Sequence, residues 1–217
     1  MTDRAGRSKS SGRWLRRHVT DPYVRRAQAQ GYRARSAFKL LEIDARDRLL
    51  FRGALVIDLG AAPGGWSQVA VQKVRPGGKI VAVDLLEMAP IAGVTTLQGD
   101  FRALEGEVAR ALGGKADLVL CDLSPNLSGI AATDQARAAG LAHAALALCR
   151  AHLKPGGALL LKAFQGAEFR ALRDAMKADF RQVLVRKPAA SRGESRETYL
   201  LGRGPKALKA GAGRAGG

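Results

Sequence analysis

Leu55-Val56-Ile57-Asp58-Leu59-Gly60-Ala61-Ala62-Pro63-Gly64-Gly65-Trp66 is the stretch that decides the fold. Apolar, mostly β-branched residues run into an acid, then a glycine-rich turn, then a helix start. Glycine lacks the Cβ that would hold a ligand off, so such a strand–turn–helix lets a small molecule lie against bare backbone. The dinucleotide fingerprint wants a second glycine where Ala62 stands, and a P-loop wants Lys-Ser or Lys-Thr after its glycines. Neither is present. An acid closing the strand suits a cationic, amine-bearing ligand better than a pyrophosphate. Taken alone, the segment also fits a tight βα turn in some other α/β fold.

Outward from this turn, strands and helices alternate. Strands are expected near 54–59, 79–84, 94–98, 117–122, 157–163, 181–187 and 197–202. Helices are expected near 22–30, 36–47, 66–74, 102–112, 134–153 and 167–178, the second with Ser36 as N-cap. Leu118-Val119-Leu120-Cys121 and Ala158-Leu159-Leu160-Leu161 are continuous apolar runs, as strands covered on both faces should be. This pattern predicts an α/β fold, a doubly wound and mostly parallel sheet with helices on both faces. No helix separates the last two strands, so a hairpin joins them and the final strand is antiparallel. The organisation expected is a basic, flexible tail over 1–20, one domain over 21–203, and a flexible basic tail over 204–217.

The charge is uneven. The 217 residues hold 36 Lys+Arg against 19 Asp+Glu, a formal net charge of +17. Residues 1–39 carry 11 basic and 2 acidic side chains, and residues 181–217 carry 9 and 2. The middle is nearly neutral. Basic ends around a neutral centre point to a polyanionic partner, nucleic acid before an acidic membrane surface. Cys121 and Cys149 stand in apolar contexts at no metal-ligand spacing and read as buried thiols of a reducing compartment. His18, His143 and His152 are scattered, so no triad or zinc site is expected and no metal is needed. The N-terminus has no apolar signal region and no run approaches a membrane span, so a soluble cytoplasmic protein is expected, a monomer without membrane attachment.

Charged residues gather where the strands end. Asp58, Asp84 and Asp122 close strands, Asp100 follows one, and Lys162 ends another. An antiparallel last strand would bring Glu197 to the same rim. In an open parallel sheet that rim is where ligands bind. Asp84 lies 24 residues past Gly60, about where an acid meets the ribose hydroxyls of an adenosine. Asp100 has two readings, acceptor from an adenine amino group or helix N-cap. Asp122 enters a Ser-Pro turn beside the reactive end of such a ligand, and S-adenosylmethionine is an adenosine ligand with an amine. Lys162 interrupts an apolar strand. Burial disfavours an ammonium ion, and a lysine so placed is a usable general base. Lys39 and Glu197 each have an ordinary alternative: Lys39 pairing with Glu42 on a helix surface, Glu197 pairing with Arg196 or Arg192.

Five segments in order carry a resemblance. They are Arg35-Ser36-Ala37-Phe38-Lys39-Leu40, the Asp58–Gln68 turn, Cys121-Asp122-Leu123-Ser124-Pro125-Asn126, Lys162-Ala163-Phe164-Gln165-Gly166 and Ser195-Arg196-Glu197-Thr198-Tyr199. Over roughly residues 25–203 the chain resembles the FtsJ/RrmJ family of S-adenosylmethionine-dependent RNA 2′-O-methyltransferases. The resemblance implies the seven-stranded class I methyltransferase sheet. It implies a catalytic set on Lys39, Asp122, Lys162 and Glu197, and a cofactor site on Asp58, Gly60, Gly64, Trp66, Asp84, Asp100 and Asp122. It also implies a substrate, a uridine in the peptidyl-transferase region of large-subunit ribosomal RNA, with the large ribosomal subunit as partner. Transfer RNA is the alternative.

The mechanism expected on this basis has Lys162 remove the proton of a ribose 2′-hydroxyl. Asp122 holds Lys162 and the cofactor amine. Lys39 repels the Lys162 charge and orients the ribose, and Glu197 fixes Lys39 or the incoming nucleotide. Two rivals remain. A nicotinamide dehydrogenase would not need the basic ends, and a non-catalytic RNA-binding assembly factor would not need a lysine ending an apolar strand. Arg13, Arg16, Arg17, Arg25, Arg26, Arg33 and Arg35 are expected to meet RNA phosphates. Trp14, Tyr23 and Tyr32 either stack on bases or, for the two tyrosines, pack in the core.

Overall fold

The computed structural model describes residues 21–124, 129, 131–191 and 195–206. The elements are α1 (Pro22–Ala29), α2 (Ser36–Asp47), β1 (Leu55–Leu59), α3 (Gly65–Val74), β2 (Lys79–Asp84), β3 (Val94–Gln98) and α4 (Glu105–Leu112). They continue with β4 (Ala116–Cys121), α5 (Ala131–His152), β5 (Leu153–Phe164), α6 (Ala167–Asp179), β6 (Phe180–Arg186) and β7 (Glu197–Pro205). One seven-stranded sheet runs in the order β3-β2-β1-β4-β5-β7-β6. The first five strands are parallel, and β7 is antiparallel to both β5 and β6. This is the doubly wound architecture that the alternating pattern predicts.

Side chains alternate between faces along each strand, so each strand feeds two cores. Ile57, Leu59, Val81, Val119, Leu159 and Leu161 point to one face, beneath α4, α5 and α6. Val56, Ile80, Leu118, Leu120, Leu160 and Leu201 point to the other, beneath α2 and α3. Full burial on both sides is why the central strands read as unbroken apolar runs. Cys121 and Cys149 are buried in the first core. Burial pushes the Cys121 thiol up to about 12 and the Cys149 thiol well above its ordinary value. Among the described residues no helix is long and apolar enough to cross a membrane.

Several boundaries differ from expectation. Ser36 lies inside α2, and the cap position falls to Arg35, whose side chain makes no capping hydrogen bond. The helix expected at 102–112 begins at Glu105, because Asp100 folds its own side chain back onto Arg102 N and the chain turns before it coils. The fifth strand starts at Leu153 rather than 157, with an irregularity in its register opposite Ala116 and Leu118. The expected tails, with Trp14 and Arg13, Arg16 and Arg17, fall outside the described residues apart from the short stretch at 204–206. There β7 runs on to Pro205, past the end at 202 that the sequence suggests.

Tyr23 and Tyr32 both pack on Phe38, each with ring centroids 5.7 Å from it. Core packing is therefore the observed use of these two rings. Arg25 and Arg26 are exposed on α1, with the Arg26 guanidinium 4.5 Å over the Phe38 ring. Arg35 instead turns inward, bonding Asp21 and the Ala190 carbonyl.

Candidate active site

The charged positions share one face. Val56, Ile80, Leu118, Leu120, Leu160, Tyr199 and Leu201 all belong to the core beneath α2 and α3. Continuing each strand by period two toward the carboxyl edge reaches Asp58, Asp84, Asp122 and Lys162, and toward the start of β7 it reaches Glu197. The antiparallel register sets Lys162 beside Tyr199 and Phe164 beside Glu197. One apolar sheet face thus becomes polar at its upper rim. Lys39 meets that rim from α2, whose Ala37 and Leu40 lie in the same core.

A cleft of about 470 Å³ opens there, lined by Gly60, Asp84, Asp100, Asp122 and Lys162 among others. Val83, Leu85, Leu86 and Phe101 supply apolar wall, with Leu85 and Leu86 being 66% and 69% exposed. The volume is in the range of a small-molecule site. Gly60 has φ +75°, and a Cβ there would lie 2.9 Å from the Leu123 amide nitrogen. Bare backbone at this turn is therefore a steric requirement. The Asp84 carboxylate accepts from Ala62 N at 2.9 Å and Leu86 N at 2.9 Å, which fixes it at the cleft wall. Asp100 is not a helix cap. Its carboxylate takes Arg102 side-chain and backbone hydrogen bonds, which hold it down at about 2.

A second group of residues forms a chain of contacts. Lys162 Nζ donates to Ser124 Oγ at 2.5 Å and to the Asp122 carbonyl at 3.1 Å, and lies 3.3 Å from Asp122 Oδ1. Tyr199 Oη is 3.0 Å from Asp122 Oδ1 and 3.2 Å from Glu197 Oε1. Glu197 Oε1 receives Lys39 Nζ at 2.6 Å and Ser191 Oγ at 3.1 Å. Lys39 thus passes over its helical neighbour Glu42, which serves Tyr23 Oη and Ala190 N. Burial raises the Glu197 carboxyl, but the Lys39 charge and hydrogen bond outweigh it and leave it below the ordinary range. Burial, and then the Asp122 and Glu197 charges, push the Tyr199 hydroxyl far up. Tyr199 stays a neutral donor, with one proton between two carboxylates.

Asp58, Gly64 and Trp66 do not line the cleft. Asp58 is fully buried; its Oδ2 accepts from Ser67 Oγ at 2.6 Å and its Oδ1 has no partner. Burial is the main reason its carboxyl is pushed up to about 7. Gly64 has φ +109°, and a Cβ there would lie 2.8 Å from Ile91 Cδ1 and 3.0 Å from Met88 Sδ. Trp66 donates its indole N–H to the Ser36 carbonyl and lies against Tyr199, with ring centroids 5.6 Å apart. These residues shape the turn from behind.

Tyr199 and Ser124 are contacts that sequence reasoning does not assign. Both stand in segments already singled out, and for Tyr199 a signal exists. It lies two residues after Glu197 on a strand, hence on the same face.

Residues 32–205 match the FtsJ-like methyltransferase family. The chain is 55% identical over 199 residues to the ribosomal RNA large subunit methyltransferase E of Azoarcus sp., covering 90% of this chain and 97% of that one. It is 51% identical over 215 residues to the protein of the same name from Thiobacillus denitrificans, covering 96% of each. In fold it is similar to the crystal structure of a ribosomal RNA methyltransferase from Plasmodium falciparum. That likeness has a TM-score of 0.72 at 25% identity and covers 80% of this chain and 98% of the other. The chain therefore belongs to the FtsJ-like methyltransferase family.

Proposed function

We propose that the protein transfers a methyl group from S-adenosylmethionine to a ribose 2′-hydroxyl of large-subunit ribosomal RNA. One observation carries this reading: an adenosine-sized cleft ends at a lysine that is bonded to Asp122 and, through Tyr199 and Glu197, linked to Lys39. The residues fit the cofactor. Asp84 and Asp100 offer acceptors beside apolar walls, and Gly60 lines the same cleft. When bound, S-adenosylmethionine supplies an electrophilic methyl group on a sulfonium.

The chain's own residues handle the other reactant. A ribose hydroxyl is a poor nucleophile at neutral pH, so a base within reach of its proton is required. Lys162 Nζ is the base placed to take that proton. Asp122, 3.3 Å away, stabilises the ammonium once it forms. Lys39 has its charge matched by Glu197, so it orients the ribose from a fixed position more than it repels Lys162. The large ribosomal subunit is the partner that the relatives' names suggest, and the cytoplasm is where such a substrate is met.

The test is methyl transfer from tritiated S-adenosylmethionine to ribosomal subunits from a strain lacking the gene, followed by mapping of the modified nucleotide. A 2′-O-methyluridine in large-subunit RNA is the expected product. Label in transfer RNA alone would move the activity to that substrate, and no label in any RNA would reduce the protein to a binding factor.

A further inference from the structure

Arg33 stands among the arginines that the sequence assigns to RNA phosphates, yet its guanidinium is turned inward. Nη1 donates to the Pro63 carbonyl at 3.2 Å and to the Ala89 carbonyl at 2.5 Å, and Nη2 donates to the Pro90 carbonyl at 2.7 Å. The first carbonyl belongs to the glycine-rich turn. The other two belong to the segment between β2 and β3, whose Leu85 and Leu86 wall the cleft. Among the described residues no carboxylate forms a salt bridge with Arg33, so its positive charge is met by these backbone dipoles alone.

Arg33 is itself held in place. Its backbone N–H donates to Gln68 Oε1 at 2.8 Å, and Gln68 Nε2 donates to the Gly31 carbonyl at 3.0 Å. Apart from Arg33, the segment is held at its ends, where Leu86 N donates to Asp84 Oδ1, Gln98 Nε2 to the Leu85 carbonyl and Val94 N to the Ile91 carbonyl. Residues 85–87, 89 and 90 are exposed, and this stretch has no helix or strand of its own. Met88 and Ile91 fold down over Gly64, where the missing Cβ makes room for them and for Arg33 Nη1, 3.0 Å from that position.

We infer that Arg33 is a positioning residue that fastens the Leu85–Ile91 segment to the Ala61–Gly64 turn, and so fixes the wall of the cofactor cleft. The inference rests on the proposed use of that cleft for S-adenosylmethionine. Three carbonyls on two segments call for the diverging donors of a guanidinium, and a lysine ammonium cannot span them in the same way. It also explains why Gly64 is needed although it does not touch the cleft.

The test uses the full chain with Arg33→Ala and Arg33→Lys, in two arms. Without any ligand, hydrogen exchange is expected to quicken about tenfold or more in Leu85–Ile91 and at Gly64 in Arg33→Ala, while β4 and β5 keep their protection. In initial-rate kinetics, KM for S-adenosylmethionine rises roughly tenfold with kcat and the KM for RNA within about twofold of wild type, the scale of losing hydrogen bonds to a charged group. Arg33→Lys falls between the two. Unchanged exchange in the segment overturns the inference, as does loss of protection across the whole sheet. So does a fall in RNA affinity with a shallower salt slope and unchanged cofactor KM, the signature of a phosphate-binding arginine. If the wild-type protein transfers no methyl group, the proposed function fails while the exchange arm still decides the fastening.

Discussion

Lys39 Nζ and Glu197 Oε1 lie 2.6 Å apart although 158 positions separate them in sequence. The pair ties α2 to the first residue of β7, with side chains only 12% and 13% exposed. The Glu197 carboxyl sits below its ordinary value in the folded protein. Its contribution to stability is therefore present above the unfolded value, 4.5, and is lost as pH falls through the folded one. Glu197→Gln should cost about 1–3 kcal/mol at neutral pH, since it leaves Lys39 half-buried without its counter-charge. Thermal melts across the acid range should show the gap to wild type closing below about pH 4. A gap that stays constant into acid would contradict the assignment.

Lys162→Ala and Lys162→Arg separate a base from a mere anchor. Both variants should bind S-adenosylmethionine close to wild type and lose about a hundredfold or more in methyl transfer. Arginine keeps the positive charge and cannot surrender it, so it should rescue nothing. Activity of Lys162→Arg within tenfold of wild type would assign the proton to another group.

Asp58 predicts a different pH dependence. Its carboxyl is raised from 3.8 to about 7 by burial. A raised group contributes stability that is complete below its unfolded value and lost as pH climbs to the folded one. Wild type should lose stability over this window, by at most about 1.4 kcal/mol per pH unit from this group. Asp58→Asn removes the contribution, so the variant should gain on wild type from about pH 4 to 7 and hold that gain above. Denaturant midpoints measured at intervals across this range test it, and parallel curves would argue against it.

Gly60→Ala should fail on both counts that the turn combines. The φ of +75° strains any Cβ-bearing residue, and the Cβ would press on the Leu123 backbone, which has no flexible end to yield. A loss of about 1–3 kcal/mol is expected, together with weaker cofactor binding because Leu123 lines the cleft. Calorimetric titration and a thermal melt of one sample read both. A stable variant with normal affinity would mean the turn can shift without cost.

Deleting residues 1–20 should leave the melting temperature and cofactor affinity unchanged and weaken RNA binding. The segment carries Arg4, Arg7, Lys9, Arg13, Arg16 and Arg17, and removing side chains that neutralise phosphates makes the salt dependence of binding shallower. An unchanged slope would place the RNA grip elsewhere, on exposed groups such as Arg25 and Arg26.

The fold was legible because its signals are local. Continuous apolar runs mark strands covered on both sides, and the missing helix before residue 197 marks an antiparallel end. The rim residues were legible for the same reason, since strand ends collect there. Pairings between distant segments were not. Nothing near Lys39 in sequence says that it passes over Glu42 for Glu197, and nothing near Arg33 says that its carbonyl partners lie at residues 63, 89 and 90. Those choices follow from how α2 and the preceding turn lie across the sheet, which sequence patterning does not encode. Ser36 erred in the opposite direction. A good capping residue was passed over because the chain already coils at Arg35.

The strand order has a consequence for biosynthesis. β7 is inserted between β5 and β6, and β6 has no other neighbour in the sheet. A nascent chain that has emerged only as far as Arg186 therefore leaves the edge of β5 open and β6 with nothing to pair to. Tyr199 and Glu197 arrive with the strand that closes this gap, and they join Lys39 to Asp122 in the same event. The scaffold up to β5 can form early, but the reactive rim assembles only when β7 inserts between β5 and β6.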